Sequence, residues 1–245
     1  MLDKINSYYD RSTDAWINLF NSNRIEAFRF FESEEEHDNV ISNALNFAPG
    51  ENVLDAGCGV GYPGINFAKK FSKTNFYLLN INDYQLNRIP QLENVFKVKQ
   101  DYHDTRFEDN FFDKVYFLES FSHSIYKKKL INEIFRILKP GGKLLILDFC
   151  RKKNISKDAL NVHRKIYSHF PIPSTLMKKL FLPKFKEIFF FENLKNNIVP
   201  NKDYDKERFF CYNGDSITDF GKIHLEIHEK NAHAQYPVFM MYIKI

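Results

Sequence analysis

The chain has only three cysteines in 245 residues, Cys58, Cys150 and Cys211. They are scattered without pairing or metal-ligand spacing, so neither a disulfide framework nor a zinc knuckle is expected. No apolar run approaches the roughly 18 residues needed to cross a bilayer. The opening stretch MLDKINSYYDRSTDAW lacks the basic, then apolar, then small pattern of a secretion signal. The expectation is therefore a cytoplasmic protein in a reducing compartment, with no integral membrane association. Charge of one sign is also scarce: the net charge is +4, and the basic residues are spread among acids. A nucleic-acid partner is not indicated. Tryptophan occurs once, against 26 Phe and 13 Tyr. Part of the Phe, Lys, Asn and Ile excess fits an AT-rich coding bias, so it is not read wholly as an aromatic binding site. The length suits one good-sized α/β domain with a small cap. There is no internal repeat.

From Leu2 to about Phe31 the pattern is helical and polar, with aromatic insertions. FESEEEHDNVISNALNFAPG then predicts a capped helix: Ser33 and Glu36 stand at capping-box spacing, acids crowd the first turn, and Pro49-Gly50 stops it. NVLDAG predicts a short buried strand, and the turn GCGVGYPG opens a helix through INFAKKF. The rhythm continues with the strand NFYLLNI, the helix DYQLNRIPQL and the strand VFKVKQDY. After these come the strand FDKVYFLES, the helix KKKLINEIFRIL and, past Lys139-Pro140-Gly141-Gly142, the strand GKLLILDF. Strands alternating with helices predict a mostly parallel sheet covered on both faces. RKKNISKDALNVHRKIYSHFPIPSTLMKKL breaks the rhythm and reads as an insertion over the sheet. KEIFFFEN and PVFMMYIKI are apolar strand candidates, which suggests an antiparallel C-terminal edge.

In LDAGCGVG an acid, Asp55, ends the strand, and Gly57, Gly59 and Gly61 follow at alternate positions. Glycines there let the backbone turn sharply and approach a ligand without a Cβ in the way. A dinucleotide fingerprint would need G-x-G-x-x-G, whereas Tyr62 holds the sixth position, and a carboxylate facing pyrophosphate would repel it. A cationic ligand suits the site better. In NINDYQL, Asn80 stands where a nucleotide-binding sheet normally places an acid for the ribose hydroxyls. Asparagine can donate and accept, at the cost of the stronger charge-assisted bond. Asn82 is placed to cap the next helix, with Gln85 in its first turn.

LDAGCGVG resembles the first motif of the class I S-adenosylmethionine-dependent methyltransferases. QDYHD, FDKVYFLES and LKPGGKLLILDF resemble, in order, later segments of that family. With NINDYQL, and with Glu119 followed four residues later by His123, the protein resembles the enzymes that C-methylate sterol side chains and their bacterial relatives that methylate prenyl chains. The resemblance runs over roughly residues 50 to 175. It implies a Rossmann-like, class I methyltransferase-like α/β fold, mostly parallel with an antiparallel C-terminal edge, and S-adenosylmethionine as cofactor. Within one domain over 1–245 it implies a helical cap at 1–48, a cofactor-binding core at 49–150, an acceptor-shaping insertion after the fifth strand at 151–185, and C-terminal strands and helix at 186–245. Gly57, Gly59 and Gly61 would line the methionine portion, with Asp55 near its amino end. Asn80 would meet the ribose beside Ile81 and Gln85, Asp101 the adenine amine, and Tyr102 the ring. Tyr8 and Tyr9 would close over the cofactor.

Methylating an alkene carbon needs little nucleophile activation but leaves a carbocation. The protein must align the reactants, stabilise the cation and take up a proton. A carboxylate and aromatic faces meet those needs. The resemblance puts Glu119 forward as that carboxylate, also in contact with the cofactor, and His123 as its partner or the proton acceptor. The plain alternative is that His123 caps the following helix and Glu119 only bonds backbone. In VHRKIYSHFPIP, His163, Arg164 and Tyr167 are candidates for the acceptor, with the basic residues suited to an anionic prenyl diphosphate; surface basicity explains them about as well. His224 and His228 share a helical face, but no Glu follows the first His as a metalloprotease motif requires, so no metal is expected. The acceptor is read as a small molecule, and a homo-oligomer is compatible with that. Two further functions stay open: N- or O-methylation of a small metabolite, and a cofactor-binding protein without catalysis.

Overall fold

The computed structural model describes residues 6, 7, 9, 10, 12–14, 17, 33–151, 160, 161, 164, 170–192 and 235–245, with backbone alone at 190–192 and 235–238. Seven strands form one sheet in the order β3-β2-β1-β4-β5-β7-β6. They are β1 Asn52–Ala56, β2 Asn75–Asn80, β3 Val95–Lys99, β4 Phe112–Leu118, β5 Leu138–Arg151, β6 Phe185–Glu192 and β7 Gln235–Lys244. The first five pair in parallel, and β7 runs antiparallel to both β5 and β6. This is the mostly parallel sheet with an antiparallel C-terminal edge that the sequence predicts.

Strand periodicity divides the core between the two faces of the sheet. In β5, Leu144 and Ile146 join one apolar cluster while Leu145 and Leu147 join the other. Each of these residues contributes about 1.5–3 kcal/mol on burial. The helix Lys127–Ile137 lays Leu130, Ile131, Ile134 and Ile137 on the first cluster, a stripe at helical spacing. Before the sheet, the helix Glu34–Leu45 begins at Ser33, whose Oγ accepts the Glu36 N–H at 3.0 Å, and carries three acids in its first turn. It ends at Asn46 in the left-handed region, φ 55°.

Three local expectations change. The helix expected over DYQLNRIPQL is only Asp83–Leu86, because Pro90 disfavours helical backbone at Ile89 and the backbone leaves through tight turns. In LKPGGKL the helix passes directly into β5, and the glycines are taken up in a register shift against β4 between Phe112 and Lys114. At the end of the expected insertion, the helix Ser174–Phe181 is core: Met177 and Phe181 are buried, and Phe181 stacks on Tyr242 at 4.6 Å. No described helix is long and apolar enough to cross a membrane.

β1 lies between β2 and β4, so the strand order reverses there and opens a crevice at the carboxyl ends of these strands.

Candidate cofactor and active site

A cavity of about 460 Å³ fills that crevice, within the range of small-molecule sites. Of the expected residues, Tyr9, Asp55, Gly57, Gly59, Asn80, Ile81, Gln85, Asp101, Tyr102, Glu119 and His123 line it. Gly61 does not. Its φ is 93°, and a Cβ there would stand 2.9 Å from Ile89 Cγ1, so this glycine serves the packing of the turn on Ile89 and not the ligand wall. Arg164 is exposed and outside the lining. Tyr8, His163, Tyr167, and the His224 and His228 pair lie outside the described residues.

The glycine turn is stapled to β2: the N–H groups of Gly57 and Cys58 both donate to the Leu79 carbonyl, at 2.9 and 3.0 Å. Gly57 has φ 87°, and a Cβ on it would come within 2.6 Å of Ser120 Cβ. Asp55 is buried beneath the turn and accepts from the Tyr116 hydroxyl at 3.0 Å. Burial, then the nearby Asp55 carboxylate, pushes the Cys58 thiol well above its ordinary pKa, which makes it an inert packing group.

Asn80 is more committed to the protein than a ribose ligand would be. Its Nδ2 donates to the Gly59 carbonyl at 3.0 Å and to Gln85 Oε1 at 2.8 Å, while Oδ1 accepts the Asn82 N–H at 3.1 Å. Both amide hydrogens are spent, and what is left to a hydroxyl is a lone pair on Oδ1. An aspartate could make neither donation. Gln85 passes the network on, donating from Nε2 to Thr13 Oγ1 at 3.0 Å, and Asn82 both caps the next helix and donates to Asp10 Oδ1 at 2.8 Å. The described N-terminal residues are thus tied to the end of β2.

Asp101 accepts from the His103 backbone N–H at 2.9 Å and bonds the His103 ring Nδ1 at 2.6 Å. Burial alone would raise its pKa, but these bonds outweigh it and hold the carboxyl below its ordinary range. Tyr102 presents a ring to the cavity, and its hydroxyl donates to the Ser120 carbonyl at 3.3 Å.

On the β4 side, Glu119 has φ 52°. The other described non-glycine residues with positive φ are Asn46 and Asn110, a side chain that tolerates that region as glutamate does not. Its backbone N–H still donates to the Leu147 carbonyl at 2.8 Å, so the strain falls where β4 releases the backbone into the cavity. Next comes the 3-10 turn Phe121–His123. Its His123 Nε2 is 2.8 Å from the Tyr9 hydroxyl, with the rings edge to face. Sequence reasoning misses three residues in or behind this wall: His103, Lys127 and Asp148. Lys127 leaves a signal, since it opens the apolar stripe of its helix and sits in a first turn where the helix dipole disfavours cations.

The donor set fits S-adenosylmethionine. Three carboxylates, Asp55, Asp101 and Glu119, border the cavity together with Tyr9, Tyr62, Tyr102 and Tyr126, and no described lining residue is Lys or Arg. Carboxylates and aromatic faces suit an ammonium and a sulfonium, and glycine at 57 keeps the floor open.

Residues 54–146 match a family model described as a methyltransferase domain. The protein is 34% identical over 175 residues to the sterol 24-C-methyltransferase of Schizosaccharomyces pombe, a match over 66% of this chain and 46% of that protein. It spans about half the length of the curated relatives it matches. Among solved structures, the [4+2]-cyclase SpnF superposes with a TM-score of 0.84 at 15% identity, over 100% of this protein and 97% of that one. A geranyl diphosphate C-methyltransferase from Streptomyces coelicolor gives 0.68 at 14% identity, over 86% and 77%. These two share the fold, and their different chemistries separate fold from reaction. By its domain match, its strand order and the residues around its crevice, the protein belongs to the class I S-adenosylmethionine-dependent methyltransferases, with S-adenosylmethionine as its cofactor, and it resembles their sterol side-chain and prenyl C-methyltransferase branch.

Proposed function

We propose that this protein methylates an alkene carbon of a neutral, largely apolar acceptor of sterol-like or prenyl type. The observation that carries the reading is Glu119, held at φ 52° at the cavity wall. Backbone strain of about 1–3 kcal/mol at a site residue is tolerated where geometry serves function. When bound, S-adenosylmethionine supplies an electrophilic methyl on sulfur. Asp55 and Gly57 would hold its amino-acid end, Tyr102 and Asp101 its adenine, and Asn80 through Oδ1 its ribose. Glu119 faces the charge that develops on the acceptor carbon as the new carbon–carbon bond forms. The rings of Tyr62, Tyr102 and Tyr126 add cation-stabilising faces. His123, oriented by the Tyr9 hydroxyl, takes up the proton the acceptor loses. The three carboxylates favour a neutral acceptor over a diphosphate.

The Tyr9–His123 bond also supports a second reading, in which the pair orients and deprotonates the heteroatom of a small amine or alcohol. Labelled S-adenosylmethionine offered with sterols, prenyl alcohols, prenyl diphosphates and small amines separates the two. Label in a neutral alkene supports the first reading. Turnover of amines alone supports the second, and turnover of diphosphates alone removes the neutral-acceptor claim.

A further inference from the structure

Behind the wall that carries Glu119 and His123 lies a buried cation the reaction itself does not use. Lys127 is 6% exposed, and its Nζ donates to the carbonyls of Phe121 at 2.8 Å, of Ser122 at 3.3 Å and of Ser124. It also stands 5.0 Å from the centre of the Phe121 ring. Asp148, fully buried on β5, takes the Ser122 N–H at 2.9 Å and the Phe149 N–H at 2.7 Å. The turn is thus gripped through its carbonyls by one buried charge and through its N–H by another. From the adenine side, His103 Nε2 reaches Ser124 Oγ at 2.7 Å.

An ammonium has three N–H bonds, and this one finds three carbonyls. A neutral amine has two and presents a lone pair to the third. We infer that Lys127 is a positioning residue: its ammonium sets the turn that aims Glu119 and His123 at the cavity, and only the protonated form holds that geometry. This rests on the methyl-transfer reading. The charged and titratable groups around it are Asp148 and Cys150 on β5, Tyr102 and His103 on the loop after β3, and Glu119 and His123 on the turn. Burial pulls the Lys127 pKa down to about 7, against the opposing pull of Asp148 and Cys150. The ammonium is therefore lost as pH rises through neutrality, near where the enzyme would work.

The test compares the full-length protein with Lys127→Met and Asp148→Asn from about pH 6 to about pH 9, a range over which a group titrating near neutrality changes state. Turnover and calorimetric affinity for S-adenosylhomocysteine are both measured. The wild type should lose turnover on the alkaline side while its affinity moves less than about threefold. Lys127→Met should lose turnover on the order of a hundredfold, the scale of a small misplacement of reacting groups, and show no alkaline limb. Asp148→Asn, which removes the carboxylate favouring the ammonium, should move the limb to lower pH. An alkaline limb that persists in Lys127→Met, or cofactor affinity lost in step with turnover, would overturn the inference. Backbone amide resonances of Ser122 and Ser124, recorded in a His123→Gln background, read the turn without activity. They should shift in a step near neutrality that Lys127→Met abolishes or, if that variant does not fold, that Asp148→Asn displaces; amides that do not move would overturn it. If no acceptor is methylated, the functional reading fails while the amide titration still decides the role of Lys127.

Discussion

At the β2 side of the cavity, Asn80 spends both amide hydrogens on Gly59 and Gln85, and the glycine turn is pinned to Leu79. At the β4 side, Glu119 sits in a backbone region foreign to its residue type, above a turn held by buried Lys127 and Asp148. The first wall is satisfied by neutral hydrogen bonds between residues close in sequence. The second is strained, charged and assembled from β4, β5 and the helix Lys127–Ile137. A wall of the first kind suits holding a ligand in one place. A wall of the second kind gives up stability to aim side chains, which is characteristic of groups that act on a substrate.

The contrast breaks most sharply at Glu119. Glu119→Gln should leave S-adenosylhomocysteine affinity nearly intact while turnover falls by about a hundredfold or more. Glu119→Asn should lose turnover similarly but gain up to about 1 kcal/mol in denaturant unfolding, since asparagine accepts φ 52° more readily. Equal stability and full activity in Glu119→Asn would remove both the strain argument and the residue.

Gly57 is where the walls touch, because a Cβ there would stand 2.6 Å from Ser120 Cβ, one residue past Glu119. Gly57→Ala should therefore weaken cofactor binding by about tenfold to a hundredfold, from backbone strain and a displaced Ser120 together, and lower turnover of the saturated enzyme as well. A loss confined to affinity would show the walls to be independent.

The same contrast explains what can be read from the sequence. The satisfied wall is written in short segments: D-x-G-x-G-x-G gives the turn, NINDYQL gives the cap and the Asn80–Gln85 pair, and alternating apolar residues give the strands. Their partners lie within a few residues, or on the neighbouring parallel strand that the strand-helix rhythm already predicts. Gly61 misleads because the spacing shows a glycine but not whether ligand or Ile89 needs the room. The strained wall is legible only as Glu119 and His123, by resemblance. Asp148 looks like any acid near a strand end until the Ser122 N–H is brought to it across the sheet, and Lys127 looks like one of three solvated lysines. The helix expected over DYQLNRIPQL is too long because its apolar spacing continues past the point where Pro90 ends helical backbone.

Asn80→Asp probes the satisfied wall with a smaller change. The aspartate would gain charge for the ribose hydroxyls but would face the Gly59 carbonyl with no hydrogen to give, and Gln85 would have to turn its amide toward it and release Thr13. Two lost neutral bonds at about 1 kcal/mol each, partly offset by stronger bonds to the ribose, leave a decrease in cofactor affinity of about threefold to tenfold by calorimetry. Tighter binding would restore the acid-like ribose role to position 80.

The smallest effect is expected where the N-terminal residues meet the strained wall. Tyr9→Phe removes the hydroxyl on His123 Nε2 but keeps the ring at the cavity and its edge-to-face contact. A single hydrogen bond of about 0.5–1.5 kcal/mol that orients an imidazole is worth about threefold to tenfold in turnover. The Asn82–Asp10 and Gln85–Thr13 bonds still tie the N-terminal residues to β2, so cofactor affinity should not change. If affinity falls and turnover does not, Tyr9 is a cover for the cofactor and His123 is oriented by something else. If both fall, the N-terminal residues bridge the two walls, and the division between a holding wall and an acting wall ends at residue 9.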